Sequence, residues 1–88
     1  MAETSPVRVL VVDDERPIRR FLVTSLGAHG YAVFEAADGP AALATVVDQR
    51  PDLMILDLGL PGMDGVEVTR RLREWTSLPI IILSVRDQ

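Results

Sequence analysis

The chain has neither cysteine nor lysine. Without cysteine there are no disulfides, no thiolate nucleophile and no cysteine-ligated zinc. Without lysine all nine basic residues are arginine, so no step can use an ammonium group of these residues. The one histidine, His29, stands in Gly27-Ala28-His29-Gly30, a helix-ending stretch, and reads as a solvated turn residue rather than a ligand. Apolar runs are short, far below the ~20 residues a membrane span needs. Met1 to Pro6 has no basic start followed by an apolar stretch, so no signal peptide is expected and the expected location is cytoplasmic. A net charge of −4 gives no electrostatic case for contact with nucleic acid.

What is present is apolar and ordered by period. In 88 residues, 48% hydrophobic, there is material for one small domain. Short apolar runs alternate with helix-like segments, the pattern of βαβ units and a parallel sheet. The first strand is expected over Val7 to Val12. Pro17 stands near a helix start, where its missing N–H costs nothing. Ile18, Phe21, Leu22, Ser25 and Leu26 make one helical stripe, and Gly27 and Gly30 offer left-handed caps. Tyr31 to Ala36 is the second strand. Asp38-Gly39-Pro40 opens a second helix with Leu43, Val46 and Val47 inward. Arg50-Pro51-Asp52 turns into the third strand, Leu53 to Leu56. After the loop Gly59 to Met63, Asp64 reads as an N-cap with Glu67 completing a capping-box-like pair. The third helix runs to about Trp75, with Val68, Leu72 and Trp75 on one stripe. Ile80 to Leu83 is the fourth strand, ending at Ser84.

Two of these strands end abruptly in acid: Val12 is followed by Asp13-Asp14-Glu15, and Leu56 by Asp57. In an open α/β sheet, ligands bind beyond the carboxyl ends of the strands. Each acid alone has a bland reading. Asp14 would cap the first helix, Asp13 would be a solvated strand end, and Asp57 would be satisfied by loop N–H groups. The conjunction is stronger. With right-handed connections the first and third strands can be neighbours and the fourth can lie beside the third, bringing Asp13, Asp14, Asp57 and the hydroxyl of Ser84 to one cleft. Clustered carboxylates repel unless protonated or bridged by a cation. Hard oxygen ligands suit Mg2+, which also takes phosphate oxygens, so the outline is that of a phosphoryl-transfer site.

These residues resemble the receiver domain of two-component response regulators. The likeness runs from Val7 onward through Asp13-Asp14-Glu15, Pro17-Ile18-Arg19, Pro51-Asp52-Leu53, the loop Leu56-Asp57-Leu58-Gly59-Leu60-Pro61-Gly62-Met63-Asp64-Gly65, and Pro79-Ile80-Ile81-Ile82-Leu83-Ser84. Arg19-Arg20-Phe21-Leu22, Val33-Phe34-Glu35-Ala36 and Leu72-Arg73-Glu74-Trp75 are similar in particular to regulators of potassium-transport operons, in the class with a winged-helix DNA-binding domain. The resemblance implies a flavodoxin-like doubly wound parallel sheet of order 2-1-3-4. It implies Asp57 as acceptor of a phosphoryl group from a sensor histidine kinase. Asp14, Asp57 and the backbone carbonyl of Gly59 are implied as direct ligands of Mg2+, or Mn2+ in its place, with Asp13 acting through water. Ser84 is implied to hydrogen-bond a phosphoryl oxygen.

The departures are as informative. The family's fifth strand, the lysine on it and the last helices are missing, and Val85 stands where a very small residue is usual. The expected organisation is therefore an extended or disordered segment over residues 1–6 and an incomplete receiver domain over 7–88. Contact with DNA is expected only through a C-terminal domain absent here, and no membrane partner is expected. An interaction module without phosphotransfer is one alternative. A second is an aspartate-nucleophile phosphohydrolase, whose first strand would end Asp-x-Asp where this one ends Asp-Asp-Glu. The fourth strand, left as an edge, is expected to pair or swap between copies.

Overall fold

A computed structural model describes residues 5–83 of the chain. Seven elements alternate: β1 (Arg8–Val12), α1 (Arg16–Ala28), β2 (Ala32–Ala36), α2 (Gly39–Gln49), β3 (Leu53–Leu56), α3 (Gly65–Arg73) and β4 (Ile80–Ile82). The strands form one parallel sheet in the order β2-β1-β3-β4. From β1 the chain moves one way to β2, then crosses back to β3 and on to β4. With right-handed connections that reversal puts α1 on one face of the sheet and α2 and α3 on the other.

The two faces are filled unequally. On the α2 and α3 side, Leu10, Val12, Met54 and Leu56 from the strands meet Ala42, Val46, Val68 and Leu72 from the helices, with Leu60 and Leu78 closing the ends. Val9 and Val11 point the other way and are also buried, but no residue of α1 is itself buried. Burying a Val or Leu side chain is worth roughly 1.5–3 kcal/mol, so most of the apolar stabilisation lies on the α2 and α3 side.

The helix ends follow local chemistry. Asp38 caps α2 by accepting from the Ala41 amide at 2.8 Å, and Asp64 caps α3 by accepting from the Glu67 amide at 3.0 Å. The reciprocal half of the expected capping box does not form. The Glu67 carboxylate goes instead to Arg70 and Arg71, one turn further on, and those guanidinium groups hold it down at about 2. Gly30, at φ 93°, is the left-handed residue after α1, whereas Gly27 lies inside the helix.

Three expectations of burial fail for one reason. Phe21 is 69% exposed, Val47 63% and Trp75 56%. Each sits at the rim of an apolar stripe: Val46 and Leu72 are buried and Leu22 half-buried, while their neighbours turn to the surface. Helical periodicity marks a stripe over 100° wide but not how far the neighbouring layer reaches across it. Trp75 also lies past the end of α3, which stops at Arg73 rather than running on to it. The strands agree within a residue: β1 and β2 each begin one residue later than expected, and β4 ends at Ile82. Ser84 and Val85 lie outside the described residues.

Candidate functional site

The parallel register carries the end of β1 level with the end of β3. Val12 pairs with Leu56, and the Asp57 amide donates to the Val12 carbonyl at 3.0 Å. The residues that follow, Asp13-Asp14 and Asp57, therefore leave the sheet side by side. Carboxylate oxygens of Asp13, Asp14 and Asp57 all lie within 4.8 Å of one another. It is the one such group of acids among the described residues.

The bland readings of these acids can now be judged. Asp13 is no solvated strand end, being 2% exposed. Asp14 caps nothing: the N-cap of α1 is Glu15, with no side-chain cap bond, and the Asp14 carboxylate stands exposed at the mouth of the cluster. Asp57, 4% exposed, does accept from a loop amide, Gly59 N at 2.9 Å. That bond anchors Oδ1 and brings the Gly59 backbone against the carboxylate.

The electrostatics are those of crowded anions. Burial pushes the Asp13 carboxyl above the usual carboxylate range, and the charges of Asp57, Asp14 and Glu15 push the same way. The Glu15 amide, donating to Asp13 Oδ1 at 2.8 Å, opposes them. The donor set, three hard oxygen anions of which two are buried, fits a small divalent cation that keeps some of its waters.

The loop from Asp57 to Asp64 is held from three sides. Leu60 is buried in the core. Gly62 turns the chain at φ 74°, a backbone conformation that side chains resist. At the far end Gly65 packs against the loop's own start, its amide donating to the Leu58 carbonyl at 3.0 Å. A Cβ on Gly65 would lie 2.6 Å from Leu58 Cα and 2.9 Å from the Asp57 carbonyl oxygen. Gly39, at the start of α2, meets Met63 somewhat less closely: a Cβ there would lie 2.9 Å from Met63 Cβ. Glycine at 65 is thus part of how Asp57 is aimed.

A family model for the response regulator receiver domain matches residues 9–88. The chain belongs to that family. As a receiver domain it is 50% identical over 80 residues to the KDP operon transcriptional regulatory protein KdpE of Escherichia coli (strain K12), covering 91% of this chain and 36% of that protein. It is 48% identical over 83 residues to the response regulator MprA of Mycobacterium sp. (strain KMS), covering 93% of this chain and 36% of that one. The chain thus spans a little over a third of the length of these curated relatives. Among solved structures it superposes on the chemotaxis protein CheY4 of Vibrio cholerae with a TM-score of 0.87 and 35% identity, covering 94% of this chain and 72% of that one. No helix among the described residues is long and apolar enough to cross a membrane.

Of the residues the sequence pointed to, the structure brings the carboxylates of Asp13, Asp14 and Asp57 together and sets Gly59 beside Asp57 through its amide, while Ser84 lies outside the described residues. Sequence reasoning missed the close approach of Gly65, which only a neighbouring backbone reveals. It also missed Arg19, whose one signal was Glu35, a lone acid in an apolar strand that needed a partner.

Proposed function

We propose that this receiver domain takes a phosphoryl group on Asp57 from a phosphohistidine of a sensor histidine kinase, assisted by Mg2+ or Mn2+. The observation that carries the reading is the cluster of Asp13, Asp14 and Asp57, two of them buried, beyond the ends of β1 and β3. Asp14 and Asp57 would be direct ligands of the ion with the Gly59 carbonyl, and Asp13 would act through water. When bound, the ion supplies neutralisation of the carboxylates and of the phosphoryl oxygens.

The rest of the chemistry belongs to the chain. An Asp57 carboxylate oxygen forms the new bond to phosphorus while the histidine N–P bond breaks, and the leaving imidazole takes up a proton. The product is an acyl phosphate. Because phosphoryl transfer is mostly positioning and charge stabilisation, the fixed loop and the Gly59 N–H on Asp57 Oδ1 carry much of the protein's share. Ser84 would donate its hydroxyl to a phosphoryl oxygen. In longer relatives named as transcriptional regulators, this event would control DNA contact made by a further domain; the acidic domain described here would not touch DNA itself.

A second reading has its own support: Val85 follows Ser84, where a very small residue is usual in the family. On that reading the domain binds partners without covalent change. Intact-mass measurement after incubation with acetyl phosphate and Mg2+ decides between them. The first reading expects one added phosphoryl group, labile to hydroxylamine and absent from Asp57→Asn. An inert wild-type chain supports the second, and a stable phosphate on Ser84 or Thr69 contradicts the first.

A further inference from the structure

Arg19 lies outside the acidic cluster, yet it holds the backbone that carries it. Its Nη1 donates to the Asp13 carbonyl at 2.9 Å, and its Nε donates to Glu35 Oε1 at 3.0 Å. The Arg19 side chain is 15% exposed; its bond to the Asp13 carbonyl is half-buried, while the bond to Glu35, itself 36% exposed, lies at the surface. Arg19 itself is set by the first turn of α1, where its amide donates to the Glu15 carbonyl at 3.1 Å. One side chain therefore ties α1, the end of β1 and the end of β2 together.

The bond to Asp13 matters because of which oxygen it takes. That oxygen belongs to the peptide unit joining Asp13 to Asp14. A peptide unit is planar, so fixing its oxygen and its Asp13 end fixes the plane through to the Asp14 nitrogen and Cα. The Asp13 end is fixed already: its amide donates to the Ala36 carbonyl at 3.2 Å, and its carboxylate accepts from the Glu15 amide. Only local rotations at Asp14 then remain to place the exposed carboxylate. Without Arg19, nothing else among the described hydrogen bonds holds that peptide oxygen, and the plane can tilt about its Asp13 end.

We propose that Arg19 is a positioning residue for Asp14, presetting its carboxylate for a divalent cation by clamping the Asp13–Asp14 peptide, with Glu35 fixing the clamp's angle. The proposal rests on the metal-assisted phosphoacceptor reading and deepens it. The Nη1 and Nε of Arg19 are taken by the Asp13 carbonyl and Glu35, so the role proposed for it is on the placement of Asp14 and not on the transferring group. It therefore acts on affinity for the ion rather than on the transfer step.

The test is Mn2+ binding by the full 88-residue chain, followed by electron paramagnetic resonance, alongside acetyl phosphate labelling across a range of Mg2+ concentrations. Residues that orient metal ligands typically cost 10–100-fold in affinity when removed, and Arg19→Met is expected at about the lower end, tenfold. At saturating Mg2+ its labelling rate should return close to wild type, a split that a loosened fold would not produce. Arg19→Lys, which can still reach the carbonyl, should recover much of the affinity. Glu35→Gln keeps an acceptor for Nε and should bind Mn2+ nearly as wild type does. Should Arg19→Met not fold, Glu35→Ala takes its place, with a smaller loss of affinity in the same direction. A folded Arg19→Met with wild-type Mn2+ affinity overturns the proposal while the phosphoacceptor reading stands. A wild-type chain whose Mn2+ binding is absent, or indifferent to Asp57→Ala, overturns both.

Discussion

Replacing Gly65 by alanine sets two effects of known sign against each other. Gly65 is the first residue of α3, and its φ is not in the left-handed region, so alanine can adopt the backbone. Helix propensity alone would make the change stabilising by up to about 1 kcal/mol. The added Cβ, however, would lie 2.6 Å from Leu58 Cα and 2.9 Å from both the Asp57 carbonyl oxygen and Leu58 Cδ2. Carbon atoms rest about 3.5–4.0 Å apart, so something must move by roughly 1 Å. Two of the three atoms are backbone and cannot rotate away. Overpacking of this kind costs about 1–3 kcal/mol, and immovable partners put this case toward the upper end. The net expectation is a loss of about 1–2 kcal/mol, which in a domain of this size lowers Tm by some 4–8 °C per kcal/mol. The displaced atoms belong to Asp57 and Leu58, so the acceptor carboxylate moves with them. A misplacement of about 1 Å can cost on the order of a hundredfold in rate. Urea unfolding and intact-mass labelling with acetyl phosphate measure the two consequences separately. Equal or greater stability would show that the helix gain wins and the contact is not tight. Reduced stability with wild-type labelling would show that the loop yields without moving Asp57.

In the metal site, Asp14→Ala is expected to weaken Mg2+ and Mn2+ binding more than Asp13→Asn, because Asp14 is the proposed direct ligand; equal effects in a titration would reverse that assignment. The Asp13 carboxyl is raised on folding, so between its unfolded value of about 3.9 and its folded value the native state binds more protons, and stability falls as pH rises through that window. Metal-free protein should thus gain stability as pH is lowered from neutral towards that raised value, and Asp13→Asn should be more stable than wild type at neutral pH. Urea unfolding in EDTA checks this, and a stability that rises with pH in wild type but not in the variant would contradict it. Glu67 works in the opposite sense, since its contribution is present above about 4.3 and fades as pH falls towards 2, so the comparison is made above about 4.3. Along β4, Ile81 and Ile82 remain 51% and 45% exposed, leaving roughly 1.5–3 kcal/mol of burial unrealised for the pair. The 88-residue polypeptide is expected to associate through that edge at micromolar concentration; a compact monomer in sedimentation, melting cooperatively, would sink the idea.

Much of the molecule was legible in one dimension. Strand-length apolar runs, Asp38 and Asp64 as caps, and acids set directly after Val12 and Leu56 are local signals, each read from a few neighbours. Periodicity found the centres of the stripes on α2 and α3, Val46 and Leu72, where a facing layer covers them, but on α1 it marked a stripe of which no residue is buried. At the rims it failed, since the exposure of Phe21, Val47 and Trp75 depends on how far a neighbouring layer extends. The acids could be assigned to one sheet edge from topology alone. That Asp13 would be buried, Asp14 free of the helix cap and all three carboxylates within 4.8 Å depended on the register of β1 against β3, a long-range pairing. The roles of Gly65 and Arg19 came only with the tertiary structure. Each acts by contact with a backbone atom six or seven residues away, Leu58 Cα and the Asp13 carbonyl, and a backbone atom has the same chemistry whatever the residue. Sequence therefore determines which side chains bring chemistry to the site, while the fold decides which main-chain atoms aim them.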